Sequence, residues 1–248
     1  IRDDDRFFFS DIWFPGIESI AYMNYFHKKT AKITGIIHAG SFTDTDFVRD
    51  LERWAKNFED IVFDISDTIY CASNFIRDDI IQKRMVDPSK FVVSGLPVDY
   101  ETLGCYDTSR KADRVIFIGR ICDEKQPHLF DKLADRVSEV LGRTDIEFVK
   151  TRDLGLNKDQ YYQLLAESKC VVSYALQENF GFGIAEAAYL GCTPVLPNRL
   201  VYPELYDKEY LFDTHEESVI MVCDALQQQY QDPVELNCDP LETWFGQR

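Results

Sequence analysis

Several things are scarce in this sequence, and each scarcity removes a class of function. No apolar run approaches the roughly 20 residues that a membrane span needs, and the residues present show no signal-peptide pattern. Positive charge is short. There are 27 Lys and Arg against 43 Asp and Glu, a formal net charge of −16. An acidic average argues against a broad nucleic-acid footprint and against anionic lipid surfaces, although it leaves room for a local basic cleft. Histidine is scarce too, at four residues. The seven cysteines (Cys71, Cys105, Cys122, Cys170, Cys192, Cys223 and Cys238) form no C-x-x-C pair. A zinc site and a disulfide framework are therefore not expected, and a reduced, cytoplasmic setting is. No G-x-G-x-x-G follows an apolar strand, which argues against a dinucleotide enzyme.

What remains is a chain of 248 residues, 45% hydrophobic and 28% charged, enough for one large or two modest cores. Short apolar runs alternate with helical patterns. "RFFFS", "KITGIIHA", "TIYCAS" and "FVVSG" read as strands, with helices over "IESIAYMNYFHKK", "DFVRDLERWAKNFEDIVFDIS" and "NFIRDDIIQKRM". The polar stretch 97–113 carries no periodicity and reads as a linker. The alternation then restarts with strands in "RVIFIGR", "IEFVKT", "CVVSYAL" and "CTPVLPN". Helices lie between them, and "EESVIMVCDALQQQYQD" gives the last one. Alternation of this kind predicts an α/β fold with parallel sheets and right-handed crossovers, here as two Rossmann-like domains at 1–105 and 106–248. The first domain has about four strands and begins with Ile1, so it is expected to be the C-terminal part of a truncated N-terminal domain.

Ligands of open parallel sheets sit beyond the carboxyl ends of the strands. After "RVIFIG" come Gly119 and Arg120, then Lys125. An arginine and a lysine five residues apart can converge on one diphosphate, although a solvated loop with ordinary surface charges fits the same spacing. After "CVVSYAL" comes "QENFGFGIAEA", where Gly181 and Gly183 let backbone approach a ligand at a helix start that favours an anion. Glu178 precedes that helix and Glu186 lies within it. They suit opposite ends of one ligand, or Glu178 is a cap and Glu186 a solvated surface residue. After "KITGII" comes His38, either a sugar-facing group or a satisfied buried histidine. Asp11 and Trp13 follow the first strand, where Trp13 is a sugar platform or hydrophobic packing. Two acidic triplets, "DDD" at 3–5 and "DTD" at 44–46, resemble metal-binding D-x-D. Asp44 and Asp46 read better as caps of the helix near Phe47, and no metal site is expected.

Taken together, "IGRICDEK" resembles the GR-x4-K element, and "ENFGFGIAE" the E-x7-E element, of retaining glycosyltransferases of the GT-B fold, glycosyltransferase family 4 type. The resemblance extends in order and spacing from about residue 30 to 215. It implies two Rossmann-like domains facing a cleft and transfer of a sugar from a nucleoside diphosphate to an acceptor hydroxyl. It implies no metal and no other cofactor. By resemblance, Arg120 and Lys125 bind the donor diphosphate and stabilise the leaving group, and Glu186 holds the ribose hydroxyls. Glu178 and Phe180, Gly181, Phe182 and Gly183 lie at the donor sugar, with Gly119 beside them, and His38 faces the reacting sugar. "PNRLVYPELY" is similar to tRNA-queuosine mannosyltransferases. "FFFSDIWFPGIESI" and "HAGSFTDTDF" are similar to phage-type transferases that act on modified DNA bases. Both imply an acceptor in tRNA or DNA and a cytoplasmic setting, that of an infected host included. Gln126 departs from the family's usual glycine at that place. An inactive nucleotide-sugar-binding or partner-binding remnant is the alternative.

Overall fold

The computed structural model describes residues 1–228, 232–234 and 236–237. The seventh cysteine, Cys238, and the end of the expected second domain lie outside the described residues. The chain forms two compact units, Ile1–Leu96 and a second that starts at Pro97. No helix among the described residues is long and apolar enough to cross a membrane.

The first unit is a four-stranded parallel sheet in the order β1-β2-β3-β4, with β1 (Arg6–Phe9), β2 (Lys32–Ile37), β3 (Thr68–Cys71) and β4 (Phe91–Val93). Helices α1 (Ile17–His27), α2 (Glu52–Ile65) and α3 (Asn74–Arg84) connect the strands. Ile33 and Ile37 from β2, Ile69 and Cys71 from β3, and Ile76 and Ile80 from α3 form its core. Helix α2 buries Ala55, Glu59, Val62 and Phe63, a spacing that lays one stripe of the helix on the sheet. The helix expected from about Phe47 begins instead as a 3-10 turn, Phe47–Leu51, and becomes α-helical at Glu52. The Asp46 carboxylate accepts the Val48 N–H at 2.9 Å and starts that turn, while Asp44 pairs with Arg49.

The buried carboxylate of Glu59 is unusual for a helix facing a core. It accepts the Ser41 N–H at 2.6 Å and the Ser41 hydroxyl at 2.7 Å, and pairs with Arg84 at 2.7 Å. Side chains from α2 and α3 thereby fix the loop that leaves β2. Gly40 is required there, because a Cβ would stand 2.4 Å from a Glu59 carboxylate oxygen.

The second unit is a five-stranded parallel sheet in the order β6-β5-β7-β8-β9. Its strands are β5 (Ala112–Phe117), β6 (Glu147–Lys150), β7 (Ser168–Val172), β8 (Thr193–Pro197) and β9 (Leu211–Phe212). Its helices are α4 (Tyr100–Leu103), α5 (Pro127–Leu141), α6 (Lys158–Ala166), α7 (Phe182–Tyr189), α8 (Tyr202–Leu205) and α9 (His215–Gln227). Val115, Phe117, Cys170 and Val172 pack against Phe130, Leu133 and Val137 of α5 and Val222 of α9. Each such side chain contributes about 1.5–3 kcal/mol of burial. This unit begins earlier than 106 because 97–111 is not a plain linker. Asp99 accepts the Thr102 N–H at 3.0 Å and so caps α4, and the Tyr100 ring lies 4.6 Å from that of Tyr189. A one-turn helix is too short to show periodicity, which is why the sequence reads as linker there.

The chain leaves β5, pairs β6 on one side of it, then returns to pair β7 on the other. The two connections that follow β5 and β7 therefore diverge at the carboxyl edge of neighbouring strands, and such a switch point opens a crevice.

Candidate functional site

The crevice is a cleft of about 730 Å³ at this edge. Three segments build it: Ile118–Lys125 after β5, Thr151–Lys158 after β6, and the stretch from Glu178 into α7. Gly119, Arg120, Lys125, Glu178, Gly183 and Glu186, all singled out in the sequence, line this one cleft.

Two glycines set its geometry. Gly119 has φ of 143°, a conformation that side chains resist, and it turns the chain out of β5 toward Lys125. At Gly183, a Cβ would lie 2.4 Å from the Ile118 Cγ2 atom and 3.1 Å from the Tyr161 hydroxyl. Only glycine lets the first turn of α7 press against the end of β5. The N-cap of α7 is Gly181, at φ of 82°, and no side chain caps it. Its first N–H groups thus retain the partial positive charge of a helix start.

The Glu178 carboxylate shapes the preceding turn, accepting the N–H of Asn179 at 3.2 Å and of Gly181 at 3.0 Å. Its other oxygen lies 3.2 Å from the Lys125 ammonium, which also donates to the Gln177 carbonyl. Behind this turn the buried Tyr202 hydroxyl meets Ser173 at 2.8 Å, and burial with Glu178 nearby pushes that phenol up. Arg120 pairs with Glu124.

Glu186 is not solvated. One carboxylate oxygen takes Lys158 Nζ and the Tyr162 hydroxyl, each at 2.9 Å. Burial, and after it the Glu186 charge, pushes the Tyr161 phenol up, so it stays a neutral donor. Burial pulls the Lys158 ammonium down, but Tyr162 and Glu186 outweigh this and keep it charged. The cleft therefore holds four cations, Arg120, Lys125, Arg152 and Lys158, against Glu178 and Glu186. It is a basic spot on an acidic chain.

The remaining sequence candidates fall elsewhere. Phe180 is buried and packs edge-on to Phe182 at 5.1 Å, and the side chains of Phe180 and Phe182 stand outside the cleft lining, as does Gly181. His38 belongs to the first unit, where its Nε2–H donates to the Ser10 carbonyl at 2.8 Å. Trp13 packs on Phe58 and Trp54, with centroids 5.1 and 6.0 Å away, and Asp11 accepts the Trp13 N–H at 3.0 Å. In the first acidic triplet, Asp3 pairs with Lys29 at 3.2 Å and Asp5 accepts the Arg2 N–H at 2.8 Å. No cluster of three metal-ligating side chains occurs among the described residues. Sequence reading missed Arg152, Lys158 and Tyr161. The signal available was Asn157, a residue type that favours helix starts: it caps α6 and so places Lys158 at the first position of that helix.

Against solved structures, the chain superposes on the lipopolysaccharide outer core galactosyltransferase WaaB with a TM-score of 0.60 at 14% identity, covering 90% of this chain and 66% of that one. It superposes on the pneumococcal O-GlcNAc transferase GtfA, in complex with UDP and GlcNAc, with a TM-score of 0.59 at 14% identity, covering 92% and 51%. This is an α/β fold resembling that of the GT-B glycosyltransferases. The Anabaena protein HepE in complex with UDP adds a TM-score of 0.59 at 14% identity, covering 91% and 70%. In sequence, 101 residues are 36% identical to the tRNA-queuosine alpha-mannosyltransferase of Drosophila melanogaster, which is 41% of this chain and 25% of that protein. No known family model matches the chain. The chain thus spans a quarter of that curated relative and about half of GtfA.

Proposed function

We propose that this chain belongs to a retaining glycosyltransferase of the family 4 type. It would move a sugar from a nucleoside-diphosphate sugar to an acceptor hydroxyl, with no metal required. One observation carries the reading. Arg120 and Lys125 from one segment, and Glu178 and Glu186 from another far along the sequence, line a single cleft at the switch point of a parallel sheet.

The chemistry follows from that arrangement. The acceptor hydroxyl oxygen bonds to the anomeric carbon as the sugar's C–O bond to the diphosphate breaks, and the departing diphosphate, on which negative charge grows, takes up the hydroxyl proton. Arg120, Lys125 and the uncapped start of α7 offset that charge, the part a metal ion plays elsewhere. Glu186, in contact with Lys158 and Tyr162, is an oriented acceptor for ribose hydroxyls. Glu178, tied to Lys125, sits at the sugar end. The UDP in the GtfA and HepE structures supports a nucleotide in this cleft. The identity to a queuosine transferase supports an acceptor that is a modified base in tRNA, or in DNA.

The test is turnover of radiolabelled UDP-, GDP-, ADP- and CDP-sugars, alone and with tRNA or base-modified DNA. One nucleotide sugar should be consumed, and Arg120→Ala should slow its consumption on the order of 100-fold, as for loss of a preorganised charge donor. Donor binding without any turnover would instead favour an inactive binding remnant.

A further inference from the structure

Three of the four cations in the cleft already have carboxylate partners: Arg120 with Glu124, Lys125 with Glu178, and Lys158 with Glu186. Arg152 has none among the described residues, although it lines the same cleft and is exposed. Its place is also different. It rides on a one-turn 3-10 helix, Thr151–Leu154, at the end of β6. That turn is anchored by the buried Thr151, whose hydroxyl donates to the Phe117 carbonyl at the end of β5 at 3.4 Å. A guanidinium on an anchored turn, with no carboxylate partner among the described residues, is a donor fork held ready for a ligand.

The sheet order indicates which part of the ligand it meets. Strand β5 lies between β6 and β7. Arg120, Lys125 and the start of α7 belong to the β5 and β7 side, and they supply the charge that a diphosphate needs. Glu186 reaches from α7 to Lys158 and Tyr162 on α6, the helix that follows the Arg152 turn. A nucleotide laid along these groups, phosphates at Lys125 and ribose at Glu186, carries its base toward Arg152.

We propose that Arg152 reads the nucleobase of the donor and selects a base with a keto edge, guanine or uracil, over an amino base, adenine or cytosine. This rests on the reading of the cleft as a nucleotide-sugar site. Arginine has five N–H donors and no acceptor. Its planar fork pairs well with neighbouring acceptors such as guanine O6 and N7, or with uracil O4. Adenine and cytosine turn an amino donor to the same place, and donor against donor leaves both without a partner.

The experiment is calorimetric titration of the chain and of Arg152→Ala and Arg152→Gln with GDP, UDP, ADP, CDP and inorganic pyrophosphate. GDP or UDP should bind the unsubstituted chain at least about tenfold more tightly than ADP and CDP. Arg152→Ala should weaken the preferred nucleotide by about 10- to 100-fold, the size of one bidentate base contact, and should leave pyrophosphate unchanged. Arg152→Gln, which has an acceptor, should narrow the gap between keto and amino bases. Tightest binding of ADP or CDP would overturn the proposal. So would an equal loss for pyrophosphate and nucleotide in Arg152→Ala, which would make Arg152 a phosphate ligand. Either result leaves the nucleotide-sugar reading standing. Failure of the unsubstituted chain to bind any nucleotide or pyrophosphate would bring down both.

Discussion

The ammonium of Lys125 lies 3.2 Å from the Glu178 carboxylate, joining the loop after β5 to the turn that opens α7. Both side chains are mostly buried, at 14% and 26% exposed, so neither charge is fully screened by water. Lys125→Met and Glu178→Gln should each destabilise the chain by about 1 kcal/mol, a value discounted for partial exposure. The double variant should cost less than the two singles together, with a coupling of at least about 0.5 kcal/mol in chemical denaturation. Strict additivity would show that the pair does not interact.

Gly183 should be replaceable only if its neighbour yields. Gly183→Ala drives a methyl to 2.4 Å from the Ile118 Cγ2 atom, and α7 must move away from β5. We expect a loss of about 1–3 kcal/mol in stability, the usual cost of overpacking, and a sharp loss of nucleotide affinity. Adding Ile118→Ala should restore part of the affinity. A Gly183→Ala chain that binds as before would show that this contact does not shape the cleft.

In the first unit, Arg84→Met removes the counter-ion of a Glu59 side chain that is 1% exposed. An uncompensated buried charge costs about 3–5 kcal/mol, and the loss should appear in the unfolding free energy. Hydrogen exchange at the Ser41 amide, which donates to Glu59, should accelerate with it. A variant as stable as the parent would contradict the pairing.

Metal removal should leave turnover intact. If Arg120, Lys125 and the start of α7 supply the positive charge for the diphosphate, excess EDTA will not change the rate of sugar transfer, and added manganese will not raise it. Abolition by chelator with recovery on manganese would point to a metal-dependent transferase.

Acid should weaken the second unit through Asp113. Hydrogen bonding to Lys169 chiefly, opposed by partial burial and aided by Arg143, holds its carboxyl below the ordinary value. A depressed folded value means that this stabilisation is complete above the unfolded pKa, about 3.9. It is then lost as the pH falls through the lower folded value. Asp113→Asn should therefore flatten the stability curve below about pH 4 and lower the plateau above it, in a urea series across pH.

The parallel α/β plan was legible because strands buried on both faces, such as β5 and β7, read as unbroken apolar runs. The strand–glycine–helix turn around Gly181 and Gly183 was legible too, since an apolar run precedes it and a helical pattern follows it. Arg152 and Lys158 were not. Their relation to Glu186 depends on β6 pairing beside β5, and sheet order leaves no mark in local sequence. Glu59 was hidden for a related reason: its helical position predicts burial, but its partner Arg84 lies on the next helix. The pairing of Glu186 with Lys158 and Tyr162 likewise needs α6 and α7 side by side. Sequence spacing treats that glutamate as an isolated surface charge.

Every described residue that lines the cleft lies between Ile118 and Glu186, at the carboxyl edge of one sheet. The grip that this cleft offers a small molecule is thus written in one continuous stretch of the second unit. Evolution, or an engineer, can retune that grip by changes confined to this stretch.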